Sequence, residues 1–518
     1  MQLIMINGNK VSINVDSPQK SIDPMIYSNF IEHLGECIHN GLWTYDPVNV
    51  PLVEGNPFLV GLRQDVLQAV KNLKLTVLRA FGGCYSDVYH WKDAIGPRNS
   101  RKIIKNLHWG KIYDKSLEPD IENQFGTDEF LNLCEEIGAK PYLNVNYGTG
   151  SPEEAADWVD YCNGSIDTKY GALRAKNGRK EPYNVQIWGI ANEIYGFWEK
   201  GYEKIPENYA KKYIKFAKKM REKDPTIKLV ACGYENSNWN QIVLKNIGEE
   251  WVDYLSIHRY FPYFEGKGSG KKHPDNQRCY HALMASKSLI ENYINNTWED
   301  LIAILGKNTH VRITFDEWGV WYLYKDIIKT NYNLQDGIWT AIVLMTFQKM
   351  SNKCPMANWA QLINCIGTIQ TDPDGLILTP VYLAFKLFVD HTYNNLITGL
   401  DIECEKFNSN KFGRILKAFN IPYIESIATI SNEGDKLSIM LINKHFTDDL
   451  NVELEINGFV PKEQGNIIEL NSQSPFDYNT IENRNKIKLK QKKEDNIKPK
   501  MMIKLPAHSV TVLKLNKK

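Results

Sequence analysis

The chain runs to 518 residues, too long for one small core, so a large barrel with a second domain is the natural starting expectation. A net charge of +1 gives no overall field to recruit nucleic acid or an acidic membrane. Hydrophobic residues at 43% and charged residues at 24% are ordinary for a soluble globular chain, and no apolar run approaches the roughly 18 residues that span a bilayer. Met1–Lys10 lacks the charged start, long apolar stretch and cleavage site of a signal peptide. Nine Cys without CxxC pairs suit reduced thiols, so the expected location is cytoplasmic.

In chain order, Leu3–Ile6 and Lys10–Val15 read as a hairpin around Asn7-Gly8-Asn9. From about residue 22 to 385, strand-like runs alternate with helical periods. The strand candidates are Met25–Glu32, Leu75–Phe81, Pro141–Asn146, Val185–Ile190, Lys228–Gly233, Val252–Tyr260, Val311–Phe315 and Met356–Ile363. Helical periods fall at Leu62–Leu73, Thr127–Ile137, Pro206–Lys223, Ala282–Asn295 and Gln335–Lys349. Thr127 with Asp128, and Pro206 as a first helical residue, mark helix starts. Eight alternations predict a (β/α)8 barrel of the α/β class. A doubly wound open sheet competes, but no Gly-rich dinucleotide fingerprint follows the first strand.

After about residue 390, short alternating runs appear at Ser426–Ser431, Leu437–Asn443, Asn451–Ile456, Met501–Leu505 and Ser509–Leu515, which read as a jelly-roll-like β-sandwich. The expected division is 1–20 joining the sandwich, 21–388 as the barrel and 389–518 as the sandwich. The lysine-rich stretch Lys486–Lys500 reads as a solvated loop, and Lys211, Lys212, Lys215, Lys218 and Lys219 as a solvated helix face. Glu265–His273 lacks the spacing of a phosphate-binding loop and reads as a flexible loop that can act as a lid.

The strand ends carry the chemistry, because barrel active sites sit at the C-terminal face. In order they present Glu32 and His33, Arg79, Asn144 and Asn146, Asn192 and Glu193, His258 and Tyr260, Asp316 and Glu317, then Gln361 and Asn364. Such a polar ring suits a ligand dense in hydroxyls, such as a sugar. Glu193 and Glu317 close buried strands four and seven, where a carboxylate is costly to desolvate. Facing each other, they suit the acid/base and nucleophile of a retaining glycosidase, whose carboxyl groups stand about 5–5.5 Å apart. Asn192 is placed to bond a sugar hydroxyl, and His258 or Tyr260 to orient the nucleophile. Either glutamate alone is more often a loop residue or helix start; the pair at strands four and seven is what gives the signal. His33, His90 and His258 form no HExxH or closely spaced metal set, and Cys84, with no local base, reads as a small pocket or core residue. No metal or cofactor is expected.

Several of these segments resemble the α-L-arabinofuranosidases of glycoside hydrolase family 51. They include Ile26-Tyr27-Ser28-Asn29-Phe30-Ile31-Glu32-His33-Leu34-Gly35-Glu36-Cys37-Ile38, Gly82-Gly83-Cys84-Tyr85-Ser86-Asp87 and Tyr89-His90-Trp91-Lys92-Asp93. Ile95-Gly96-Pro97, Phe125-Gly126-Thr127-Asp128-Glu129-Phe130, Trp188-Gly189-Ile190-Ala191-Asn192-Glu193, Ser256-Ile257-His258-Arg259-Tyr260, Asp316-Glu317-Trp318 and Gln361-Leu362-Ile363-Asn364 follow in order. The resemblance implies a retaining, exo-acting furanosidase with Glu193 as general acid/base and Glu317 as nucleophile. It implies that Glu32, Asn192, His258, Tyr260 and Gln361 line the sugar pocket with Arg79 in support, and that Cys84 stands where members carry Cys or Asn. Its substrate would be an arabinofuranosyl oligosaccharide from arabinan or arabinoxylan, with no cofactor, and its assembly a homo-oligomer, commonly a hexamer.

The chain departs from the family pattern in four places. Arg79-Ala80-Phe81-Gly82-Gly83 replaces Arg, an aromatic, Pro and two Gly, which predicts a reshaped wall near the sugar. Cys84, Ala191 in place of Gly, and Gly319 where Asn is common are the others. Alternatives are the same machinery on a galactofuranoside, D-arabinofuranoside, xyloside or glucan, a decayed carbohydrate-binding barrel, or a metal-dependent barrel hydrolase.

Overall fold

The computed structural model describes residues 8–46, 48–109, 120–264, 276–328 and 330–518. After strand β1 (Asn9–Ser21) the chain lays down eight parallel strands that close into a barrel. These are β2 (Ser28–Phe30), β3 (Val77–Ala80), β4 (Lys140–Val145), β5 (Ile187–Ile190), β6 (Lys228–Cys232), β7 (Tyr254–Phe264), β8 (Arg312–Leu323) and β9 (Met356–Trp359). All lie on the predicted runs. β7 and β8 run on beyond their expected ends because they continue to pair with each other, from Tyr260↔Gly319 to Phe264↔Leu323, as a ribbon above the mouth.

Strand residues pointing inward, with Met25 from the short 3-10 turn before β2, fill the lower barrel. Met25, Val77, Tyr142, Ile187, Val230 and Met356 form a buried cluster of their own, separate from the core outside the strands. It plugs the barrel and leaves only the upper end open to polar groups.

The outer layer contains α1 (Gln64–Asn72), α2 (Thr127–Ile137), α3 (Pro152–Asn163), α4 (Lys169–Lys176), α5 (Pro206–Lys223), α6 (Ser237–Ile247), α7 (Gln277–Ala285), α8 (Lys287–Leu305), α9 (Leu334–Met350) and α10 (Pro380–His391). Helix α5 shows why the sequence predicts them. Pro206 opens it, and Tyr209, Tyr213, Phe216, Ala217 and Met220 recur on one buried stripe. Its lysines face outward as expected, except that Lys212 donates to the Tyr147 carbonyl at 2.6 Å. The single helix expected over Ala282–Asn295 is divided at Ser286. There the hydroxyl donates to the Leu283 carbonyl at 2.9 Å and accepts the Trp339 indole N–H at 2.8 Å.

Beyond the hairpin β10 (Ile369–Asp372) and β11 (Gly375–Leu378) come β12 (Asn395–Glu403), β13 (Lys406–Ser409), β14 (Ala418–Pro422), β15 (Ile424–Ile430), β16 (Lys436–Asn443), β17 (Leu450–Asn457), β18 (Gly465–Leu470), β19 (Lys490–Glu494), β20 (Lys500–Leu505) and β21 (Ser509–Asn516). Nine strands form one sheet in the order β19-β18-β21-β16-β15-β12-β1-β17-β20. A single core takes side chains from β1, β12, β15–β18, β20 and β21. A flat sheet cannot enclose such a core, so the sheet wraps over itself as a sandwich. Ile427, Met440, Ile442, Val510 and Val512 point the other way, into the core shared with the barrel.

β1 is one continuous strand, antiparallel to β12 and parallel to β17. The first arm of the expected hairpin, Leu3–Ile6, lies outside the described residues, as does Glu265–His273. Lys486–Lys500 is not simply a loop, since β19 lies within it. Its exposed lysines on the sheet edge discourage pairing with another chain.

One buried ion cluster ties the sandwich to the barrel. Glu425 on β15 meets Lys444 at 3.0 Å and Lys287 of α8 at 2.9 Å, with the Lys444 side chain fully buried. Burial raises the Glu425 carboxyl, but Lys444, Lys287 and Lys349 outweigh it and hold it at about 2. Glu425→Gln strands a buried ammonium and should cost about 3–5 kcal/mol, read from the midpoint of urea unfolding. Because the folded value lies below the ordinary 4.5, the wild-type advantage is complete above that pH and fades as pH falls toward 2.

Candidate active site

A one-residue bulge in β8 builds the upper mouth. Against β7 the register steps from Ser256↔Thr314 to His258↔Glu317, and against β9 from Phe315↔Ala357 to Trp318↔Trp359. In a regular strand Asp316 and Glu317 would face opposite sides; the extra residue turns both inward. His258 therefore contacts both, with Nε2 3.1 Å from Asp316 Oδ1 and Nδ1 3.4 Å from Glu317 Oε2.

Arg79, on β3, spreads its guanidinium beneath them. It donates to Glu317 Oε1 at 3.0 Å, the Asp316 carbonyl at 3.2 Å, Asn144 Oδ1 at 3.3 Å and Asn192 Oδ1 at 2.6 Å. Asn144 has room because Gly189 stands opposite it on β5; a Cβ there would lie 2.2 Å from Asn144 Oδ1. Tyr142, rising from the plug, donates to Asp316 Oδ2 at 2.7 Å, and the Ser256 hydroxyl donates to Asp316 Oδ1.

Glu193 reaches the same space from the end of β5. Its backbone lies in the left-handed region at φ 43°, after Ala191 at 80°, so the chain turns sharply to present the carboxylate. His258 Nδ1 stands 2.9 Å from Oε1, Trp198 Nε1 donates to Oε2 at 3.1 Å, and the Tyr195 hydroxyl donates to Oε1 at 3.3 Å. One oxygen of Glu193, one oxygen of Glu317 and a His258 nitrogen lie within 4.8 Å of one another. Tyr260 donates to Glu317 Oε2 at 2.8 Å.

Glu32 stands to one side of the pair. Its Oε1 accepts from the Tyr85 amide at 2.8 Å and the Trp109 indole at 2.9 Å, and its Oε2 from Gln361 at 2.7 Å. Asn192 Nδ2 points to Cys84 Sγ at 3.8 Å and Glu199 Oε1 at 3.4 Å.

The charges are interdependent. Burial alone would lower His258, yet the charge of Glu317 and the bonds to Asp316 and Glu193 raise it to about 10. Burial pushes Asp316 up, but Arg79 and His258 hold it at about 2. Glu193 is likewise pushed up by burial and brought below its ordinary value by His258, Trp198 and Tyr195. Burial raises Glu317, and the Glu193 charge adds to that against His258 and Arg79. Burial lifts Glu32 to about 7, and both Cys84 and Tyr260 well above their ordinary values.

Glu32, Arg79, Cys84, Asn192, Glu193, His258, Tyr260, Glu317 and Gln361 thus gather at one mouth. Asn364 and Asn146 instead hold loops, bonding the Glu36 carbonyl at 2.8 Å and the Thr149 amide at 2.9 Å respectively. His90 pairs with Glu154 at 2.9 Å, and His33 stacks on Phe81. Phe81 does not line the mouth. It is fully buried among Tyr89, Phe125, Phe130 and Trp158, because β3 ends at Ala80 and the chain turns outward. Sequence reasoning missed Tyr142, Ser256, Trp109, Tyr195 and Trp198. The period-two spacing of Tyr142 from Asn144 and of Ser256 from His258 was the available signal for the first two.

A plugged parallel barrel with two facing carboxylates at its C-terminal mouth defines a glycoside hydrolase. Residues 69–276 match the α-L-arabinofuranosidase 1 domain, and 316–509 the α-L-arabinofuranosidase C-terminal domain. Alpha-L-arabinofuranosidase C of Emericella nidulans is 32% identical, the match covering 97% of each chain. The intracellular exo-alpha-L-arabinofuranosidase of Bacteroides ovatus is 31% identical over 98% of this chain and 95% of its own. The alpha-L-arabinofuranosidase of Thermotoga maritima, solved as an arabinose complex, superimposes with a TM-score of 0.87 at 34% identity, covering 98% of this chain and all of that one. The chain belongs to glycoside hydrolase family 51, the α-L-arabinofuranosidases.

Gly83 is required by a close approach, since a Cβ there would lie 2.7 Å from Glu32 Oε2. Gly83→Ala should push Glu32 off Gln361 and raise KM for an aryl arabinofuranoside about tenfold, with a smaller effect on kcat.

Proposed function

We propose that this α-L-arabinofuranosidase is a retaining, exo-acting enzyme that releases terminal arabinofuranosyl units from arabinan- and arabinoxylan-derived oligosaccharides. The carrying observation is the carboxylate pair, whose nearest oxygens approach within 4.8 Å. That spacing favours direct attack at about 5–5.5 Å over the roughly 6.5–9.5 Å that leaves room for an inverting water.

Glu317 is the nucleophile. Arg79 and Tyr260 donate to its two oxygens, favouring the ionised form and aiming it. Glu193 is the acid/base, and His258 supplies its proton. The neighbouring carboxylates raise His258, which favours a proton on the imidazole nitrogen 2.9 Å from Glu193 Oε1. As Glu317 attacks the anomeric carbon and the glycosidic bond breaks, that proton moves to Glu193 and on to the leaving oxygen. His258 is left neutral, its other nitrogen still against Asp316. In the second step Glu193 takes a proton from water as that water displaces Glu317, and the proton returns to His258. Asn192, oriented by Arg79, and Glu32 with Gln361 hold sugar hydroxyls.

Exo action fits a pocket lined by buried side chains and the name of the Bacteroides relative, and an intracellular setting fits that name together with nine cysteines that form no disulfide. A homo-oligomer, the hexamer included, rests on family resemblance alone.

Glu317→Ala should abolish turnover of an aryl arabinofuranoside, and azide should restore part of it as a product of inverted configuration; absence of the azide adduct would count against the nucleophile. Glu193→Ala should spare activated leaving groups far more than natural ones, and equal loss on both would sink the acid assignment. Replacing His258 with Gln removes a positive charge that favours both ionised carboxylates. The acid limb of the kcat/KM–pH profile should then move to higher pH and the alkaline limb, set in the wild type by loss of the His258 proton, to lower pH, narrowing the profile, with turnover reduced at least tenfold; limbs that stay put would exclude a charged His258.

A further inference from the structure

Beside the carboxylate pair, three side chains from distant parts of the chain turn donor atoms toward one another. Cys84 follows β3, His108 lies in the long connection from β3 to α2, and Glu199 lies in the loop after β5. One atom of each, a thiol sulfur, an imidazole nitrogen and a carboxylate oxygen, lies within 4.8 Å of the other two. His108 Nδ1 and Glu199 Oε2 are 3.8 Å apart, on side chains that are 6% and 0% exposed. Among the described residues neither of these buried atoms has a hydrogen-bond partner. Orphaned buried groups of this kind are costly to keep out of water, and a cation between them removes the cost.

We propose that Cys84, His108 and Glu199 form a zinc-binding site whose occupation blocks the neighbouring sugar pocket. A thiolate, an imidazole and a carboxylate suit a borderline-soft divalent ion, whereas hard Mg²⁺ or Ca²⁺ would avoid the sulfur. Bond lengths of about 2.0–2.3 Å at tetrahedral angles place ligand atoms roughly 3.3–3.6 Å apart, so the nitrogen–oxygen edge already has nearly the right length. A metal-free arrangement, with the Cys84 thiol bonded to Glu199, satisfies part of the carboxyl but leaves His108 Nδ1 unmatched.

Binding breaks the Cys84 S–H bond, forms a sulfur–zinc bond and releases the proton to solvent. His108 contributes the lone pair of its neutral Nδ1, and Glu199 binds as the carboxylate, releasing any proton it carries. Affinity therefore rises with pH. Three protein ligands leave a fourth position open. Asn192 already points at two of the ligand residues, to Cys84 Sγ at 3.8 Å and Glu199 Oε1 at 3.4 Å, so the ion would sit against the sugar's place. The blocking effect rests on the proposed sugar pocket; the metal site itself does not.

The test uses the full-length, chelator-stripped protein titrated with zinc alone, and with cobalt(II) alone as a spectroscopic probe. The expected result is one tightly bound zinc per chain and a thiolate-to-cobalt charge-transfer band in the near ultraviolet. The band should vanish in Cys84→Ser, and zinc affinity should fall at least tenfold in His108→Ala and Glu199→Gln. His310→Ala, which removes a ring 3.1 Å from Glu249 on the surface, should bind zinc as the wild type does. Absence of the band in wild-type protein, or unchanged zinc binding in both His108→Ala and Glu199→Gln, would overturn the site. Zinc should also inhibit competitively, with a chelator restoring activity. Zinc bound with the band but without inhibition supports the metal site and counts against the sugar lying beside Cys84.

Discussion

Two buried cations hold the mouth of this barrel together. Arg79 and His258 stand among Asp316, Glu317 and Glu193, all taken out of water by the barrel rim and its loops. Three carboxylates at this depth are tolerable only because each is paired and hydrogen-bonded. The guanidinium cannot lose its proton, so it fixes the lower layer at every working pH. The imidazole can, so in the proposed mechanism it is the element through which charge moves. One group is scaffold and the other is machinery, although both neutralise the same carboxylates.

Much of the surrounding backbone follows from making room for these contacts. Gly189 gives Asn144 space to receive Arg79, and Gly83 lets Glu32 approach the chain beside Cys84. The β8 bulge is the third such concession, trading ladder regularity for two adjacent carboxylates on one face. Below, the apolar plug excludes water from the floor, so the polar layer is solvated only from above. The electrostatic interactions in that layer are strengthened accordingly.

The sequence announced what repeats and concealed what does not. Eight apolar runs could be read because period and position both recur, and the polar residues at the ends of seven of them inherit their place from the barrel. The bulge at Phe315–Asp316 could not, because one extra residue inside a continuously buried strand leaves the apolar pattern intact. β19 was equally hidden: Lys490-Gln491-Lys492-Lys493-Glu494 has no apolar alternation, and backbone pairing with β18 alone makes it a strand. Trp109 and Trp198 reach the site from loops, which have no period to read. Phe81 misled for a related reason. Two residues beyond Arg79, it would share that face only if the strand continued, and β3 ends between them.

The balance of charge suits the reaction proposed for the site. With Arg79 and His258 both protonated, the three carboxylates leave one negative charge unmatched. That excess lies where positive oxocarbenium character develops on the sugar, so it stabilises the transition state more than the neutral substrate. When the His258 proton passes through Glu193 to the leaving oxygen, the mouth becomes more negative as the sugar becomes more positive. Bond formation to Glu317 then consumes one carboxylate charge, and the pair returns toward neutrality at the intermediate. In that proposed sequence, a cation placed between the two glutamates delivers its proton when the departing oxygen needs it, and its lost charge increases the field that holds the sugar cation.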